Sequence, residues 1–141
     1  MTKKRAIHSS GEKTCEGCGG LCCSYAAVET DAPTSIDDYE DLVFYIYHGV
    51  KVSVAQDDPR KRTWFLEFPG RCRYLTAEGL CTIYEHRPRV CREHDIEECE
   101  RYNHEEITDI TTVAELFALM KRIGRGPWLK SLKARLPKEL R

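Results

Sequence analysis

Four thiols and three glycines fall within nine residues, Cys15-Glu16-Gly17-Cys18-Gly19-Gly20-Leu21-Cys22-Cys23, and four more sulfurs follow at Cys72, Cys81, Cys91 and Cys99. Thiolate sulfur is a soft ligand that selects zinc, iron–sulfur clusters or Cu(I). Glycines tolerate positive φ and let a backbone wrap closely around an ion. All eight cysteines are therefore candidate metal ligands. A secreted four-disulfide framework fits less well, because Met1–Ser10 has a basic start but lacks the apolar stretch of a secretory signal. The expected compartment is the cytoplasm, where thiols stay reduced. Buried structural cysteines could explain one or two of the sulfurs, but not their clustering.

A length of 141 residues gives room for one domain with its own core. The formal net charge of -1 gives no general attraction for nucleic acid or anionic membrane. The longest apolar run, Leu42–Tyr47, is six residues, far short of a membrane span. Nucleic-acid and membrane partners are not expected. The arginines near the thiols are interleaved with Glu93, Glu97, Glu98 and Glu100 and form no basic stripe.

The pattern along the chain predicts a small α+β domain with short antiparallel hairpins, a central helix, irregular cysteine-rich loops and a C-terminal helical pair. Residues 1–14 read as a flexible N-terminal arm, 15–104 as the cysteine-cluster domain, and 105–141 as helices packed on the same domain. Tyr25–Thr30 has the pattern of a short strand. Ser35 is placed to cap a helix over about residues 36–48, with Asp37 and Asp38 in its first turn and Gly49 past its end. Val50, Val52 and Val54, then Trp64, Leu66 and Phe68, alternate as in a hairpin. Thr76–Gly79 is a tighter turn that would bring Cys72 and Cys81 together, and Tyr84 reads as core. Pro88 opens a helical turn that carries Cys91 near its N-terminus, where exposed N–H groups favour a thiolate. Thr112–Glu115 is a capping box for one C-terminal helix ending at Gly124, and Pro127 begins a second that ends at Pro137. This pair would serve as lid or scaffold for the metal-binding half.

A zinc ribbon needs two Cys-x-x-Cys knuckles, and only Cys15-x-x-Cys18 is present. After Cys23 the gaps are 48, 8, 9 and 7 residues, so any centre must be closed by long-range folding. Metal binding should then contribute heavily to folding. The missing second knuckle favours an iron–sulfur centre, of the four-iron type, over structural Zn2+. Side chains of neighbouring residues diverge, so either one of Cys22 and Cys23 ligates while the other packs, or the two serve separate centres. Cys99 lies among Glu97, Glu98 and Glu100 and is the weakest candidate. His86 and His94 are further candidates, although a lone histidine is more often structural. Arg87 and Arg92 could donate to thiolates, or form salt bridges with Glu85 or Glu93.

The run Cys15-x-x-Cys18-x-x-x-Cys22-Cys23, with Cys72-Arg73-Tyr74-Leu75, Gly79-Leu80-Cys81-Thr82-Ile83-Tyr84 and Arg87-Pro88-Arg89-Val90-Cys91-Arg92, resembles the YkgJ-type cysteine-cluster family of zinc- or iron-chelating domains over about residues 15–99. The resemblance implies metal binding by Cys15, Cys18, Cys22, Cys23, Cys72, Cys81 and Cys91, with His94 where the family has an aromatic. A related cluster occurs in flagellin lysine N-methylase, which implies an alternative role as an accessory or catalytic component of protein-lysine methylation. The chain has no Gly-rich nucleotide loop, so catalysis on its own is not the primary expectation. A metal ion or cluster is the expected ligand, with a protein partner or substrate as a further one.

Overall fold

The computed structural model describes residues 2–3, 18–58, 60–94, 99 and 106–140. Strand β1 (Thr2–Lys3) is followed by β2 (Tyr25–Thr30), helix α1 (Ile36–Tyr47), β3 (Lys51–Asp58), β4 (Lys61–Pro69), the short α2 (Arg89–Glu93), β5 (Glu106–Ile110), α3 (Val113–Arg122) and α4 (Gly126–Arg135). The five strands form one antiparallel sheet in the order β1-β5-β3-β4-β2. The molecule is a small α+β domain, as its pattern predicts. Thr2 and Lys3, inside the stretch read as an arm, pair with Thr108 and Ile107 at the sheet edge. The hairpin of β3 and β4 is the centre of this larger sheet rather than a free-standing unit.

Capping and periodicity account for the helices. Ser35 Oγ accepts from the Asp38 N–H at 3.1 Å while Asp38 Oδ2 accepts from the Ser35 N–H at 2.9 Å, a reciprocal capping box. Thr112 and Glu115 repeat it at α3, at 3.2 and 3.1 Å. Gly49 and Gly124, at φ 76 and 79, leave the two helices through the left-handed region that favours glycine.

Alternation along the strands decides which face of the sheet the helices cover. Val52 lies between Leu66 and Ile110, and Val54 between Trp64 and Thr108. Val52, Val54, Trp64, Leu66 and Ile110 pack with Tyr39, Val43, Leu116, Met120 and Leu132 in a single buried cluster. Tyr39 meets Trp64 and Trp128 edge to face, at ring separations of 6.3 and 6.1 Å. The opposite face carries polar partners: Lys51 bridges Glu67 at 2.5 Å and Asp109 at 3.6 Å, and Ser53 Oγ donates to Asp109 at 3.0 Å. These contacts explain how the Glu67 carboxylate is buried in β4.

Two expectations change here. β5 was not anticipated, because Glu106-Ile107-Thr108-Asp109-Ile110 has too few alternating apolar positions to stand out. The C-terminal helices also pack into the main core against α1 and β5, so they support the sheet. No described cysteine belongs to that core.

Candidate metal centre

The cysteine-rich segments meet where β2 and β4 end. Tyr25 pairs with Pro69 at the last rung of the ladder. Just beyond it, a 3-10 turn at Leu21–Cys23 and the segment starting at Gly70 continue side by side. The Cys72 N–H donates to the Cys23 carbonyl at 2.8 Å, which fastens the first cysteine loop to the second. These two residues are 49 positions apart in sequence, and the β2–β4 register brings them together.

From Cys72 the chain folds back on itself. The Leu75 N–H donates to the Cys72 carbonyl at 3.2 Å, Leu75 and Cys81 face each other across an isolated bridge, and the Thr82 N–H donates to the Tyr74 carbonyl at 2.9 Å. The intervening turn closes through the Thr76 N–H to the Leu80 carbonyl at 2.8 Å, and Arg71 donates to the Thr76 carbonyl. The expected turn is present, and it sets the Cys81 backbone opposite Leu75.

Glycine fits this turn against the first loop. A Cβ on Gly79 (φ 82) would stand 2.6 Å from the Gly19 backbone, and one on Gly20 (φ 74) would stand 2.5 Å from Leu75 Cδ1. Against the Gly19 backbone only a residue without a side chain allows so close an approach, whereas at Gly20 it is the end of the Leu75 side chain that would have to shift. Gly19 and Gly20 both have positive φ, and the Gly20 N–H donates to Cys18 Sγ at 3.3 Å.

The seven described cysteines are all free thiols: Cys22, Cys72 and Cys91 are exposed, while Cys18, Cys23, Cys81 and Cys99 are half-buried. The sulfurs influence one another's ionisation. Crowding of the Cys22 sulfur by protein atoms, although the residue keeps solvent contact, pushes its thiol up to about 12, with Cys23, Cys18 and Cys99 adding repulsion. Cys23 is also raised, first by desolvation and then by Cys72, Cys91 and Cys81, against a hydrogen bond from Cys22 that favours its anion. These thiols are protonated at neutral pH unless a cation offsets the mutual repulsion, and metal binding must displace their protons. An all-sulfur donor set of this kind fits zinc or iron.

Several other candidates are placed differently from expectation. Among the described residues no three His, Cys, Asp or Glu side chains already stand close enough together to share an ion. Cys15 lies outside the described residues. Cys99, the weakest candidate by sequence, has its sulfur within electrostatic reach of Cys22. His86 and His94 are exposed. Among the described residues Arg87 neither reaches a thiolate nor pairs with Glu85 or Glu93; its Nε donates to the Tyr84 carbonyl at 2.9 Å and its guanidinium lies 3.8 Å over the Tyr84 ring. Tyr84 is accordingly 58% exposed rather than core. Glu93 is taken by Arg89 at 2.7 Å. Cys91 sits in α2 behind Pro88, its N–H bonded to the Pro88 carbonyl at 2.9 Å. Pro88 is the cap of this short helix rather than its first residue.

The sequence signals missed the tie between Cys23 and Cys72 and the matching of Gly79 to Gly19. The glycines were the available clue to the second. A cleft of about 150 Å³ lined by Val54, Gln56, Arg62, Glu106, Thr108, Leu119 and Arg122 contains no cysteine and is separate from the thiol-rich end. Among the described residues no helix is long and apolar enough to cross a membrane.

Comparison with curated proteins and with solved structures gives no match. A family profile named for the pattern CxxCxxCC matches residues 14–113, most of the chain. The spacing here is one residue longer between the second and third cysteines of the run, and the left-handed Gly19-Gly20 pair lies in that interval. With its free thiols gathered at one end of the sheet, the chain belongs to the CxxCxxCC family, described as a "Putative zinc- or iron-chelating domain".

Proposed function

We propose that this protein binds metal through the cysteine thiolates at the end of its sheet, as an iron–sulfur centre in preference to structural zinc. The hydrogen bond between Cys72 N–H and Cys23 carbonyl carries the reading, because it draws sulfurs from separate parts of the chain toward one region without help from a ligand. Cys18, Cys22, Cys23, Cys72, Cys81, Cys91 and Cys99 are the described residues that would hold the metal, with Cys15 as the remaining candidate. Exposed histidines and single, widely spaced cysteines depart from the paired knuckles of zinc ribbons. Backbone N–H donors to sulfur, such as Gly20 to Cys18, are a recognised means of tuning iron–sulfur centres. The bound centre would supply electron transfer or structural support. Within the protein, the glycine-backed loops orient the sulfurs and the sheet holds the loops in register.

Anaerobic purification followed by iron, zinc and sulfide analysis tests this. A brown protein with a broad band near 400 nm, and iron matched by sulfide, is expected. A colourless protein with stoichiometric zinc would overturn the cluster preference but retain chelation; a metal-free protein would overturn both.

A further inference from the structure

The two edges of the sheet are finished differently. At one edge β1 is only two residues long, and a very short edge strand discourages pairing with another chain. At the other edge β2 runs for six residues, Tyr25-Ala26-Ala27-Val28-Glu29-Thr30, with no proline, an unbroken register against β4 and a single charged residue, Glu29. Among the described residues no strand lies on its outer side. Alternate residues of β2 therefore direct their main-chain N–H and C=O groups away from the sheet.

Apolar surface borders this open edge. The register sets Val28 beside Leu66 and Ala26 beside Phe68, on the face against which the helices pack. Val28 is nevertheless 53% exposed, so the helix layer stops short of β2. Phe68 meets Tyr45 at a ring separation of 6.3 Å, and Tyr45 meets Phe44 at 5.5 Å. This row of rings carries the apolar surface from the strand onto α1, where Phe44 and Tyr47 are exposed one turn apart.

We propose that β2 pairs antiparallel with β2 of a second copy of this chain, about a two-fold axis through Val28, and so joins two five-stranded sheets into one. The charge pattern of the strand selects a copy of itself as the occupant. In this register Val28 faces Val28 of the second copy, Glu29 faces Ala27 and Thr30 faces Ala26, so no like charges stand opposite each other. The axis is perpendicular to the sheet, which places both helix layers on the same face and sets the two exposed Val28 side chains side by side. Each copy uses its long open edge, and the short β1 offers no comparable second one, so association closes at two. β2 begins just beyond Cys23, at the thiol-rich end. Antiparallel pairing therefore turns the two cysteine-rich ends in opposite directions along the junction, and the dimer forms whether or not metal is bound.

The test is sedimentation velocity of the full reduced chain across a wide concentration range, with metal as isolated and after chelation. A reversible monomer–dimer equilibrium is expected in both states. Val28→Lys, which sets two ammonium groups together on the axis, should shift it to monomer while circular dichroism and metal content stay unchanged. Amide exchange over residues 25–30 of the unsubstituted chain should slow as concentration rises, a readout that does not depend on the variant folding. A monomer at every concentration would overturn the proposal. So would a dimer that persists in Val28→Lys, which would use another surface, or one that dissociates on chelation, which would be bridged by metal. Growth beyond two copies would overturn the closed two-fold pairing.

Discussion

Gly79 is the residue at which the cysteine-rich end closes on main chain, since any Cβ there would meet the Gly19 backbone at 2.6 Å. Gly49 has a similar φ of 76 but open space around the added atom. The two positions separate backbone strain from steric fit. Gly49→Ala should cost about 1–2 kcal/mol for the left-handed conformation and leave metal content unchanged. Gly79→Ala should carry that cost and also push the Thr76–Gly79 turn off the first cysteine loop, reducing bound metal. Urea unfolding with metal analysis of both variants distinguishes these effects; equal metal content in the two would mean that the Gly19–Gly79 approach does not position the sulfurs. The residue identities of the candidate ligands were legible in the sequence because clustered thiols have few other uses. Their grouping was not, because it depends on which carbonyl faces which N–H across 49 residues.

The helices depend on their first turns. Asp38 accepts the N–H groups of Thr34 and Ser35, and Glu115 those of Thr111 and Thr112, so each carboxyl is held below its ordinary value, chiefly by the Thr34 and Thr111 amides respectively. A folded-state value below the unfolded one means that the stabilisation is complete above about pH 4 and is lost as pH falls through the lowered value. Thermal unfolding between pH 6 and pH 2 should therefore show a falling acid limb that is shallower in Asp38→Asn and Glu115→Gln. An unchanged limb in both variants would contradict the role of the capping boxes. Ser35→Ala should destabilise the fold by about 1 kcal/mol at neutral pH. These helices could be read from sequence because a cap, an apolar stripe and a terminal glycine are all local. β5 was hidden because its identity comes from lying beside β3, with Ile110 against Val52 and Thr108 against Val54. The same dependence on pairing hid the meeting of the cysteine loops beyond the β2–β4 ladder.

The whole molecule divides its stabilisation between two regions. Among the described residues, eighteen buried apolar side chains from the sheet, α1, α3, α4 and the residues flanking them form one cluster that contains no cysteine. The heavy contribution of metal binding to folding is therefore expected in the cysteine loops: the apolar core should hold the sheet and helices, and the metal should hold those loops. A chelator should remove the metal with little loss of helical and sheet circular dichroism, while amide exchange accelerates over residues 70–94. Complete unfolding on chelation would show that the core is insufficient alone. Leu132→Ala should have the opposite pattern, costing about 2–5 kcal/mol while the metal content of the folded fraction stays unchanged.

Thiolate ligation itself is tested most directly by thiol reactivity. Cys72 and Cys91 are exposed, so as free thiols they would react readily with a chromogenic reagent, whereas the raised Cys22 thiol reacts slowly whether or not it is ligated. In anaerobically isolated protein, slow modification in step with metal release is the result this account predicts. Immediate modification of Cys72 and Cys91, with no metal released, would contradict it.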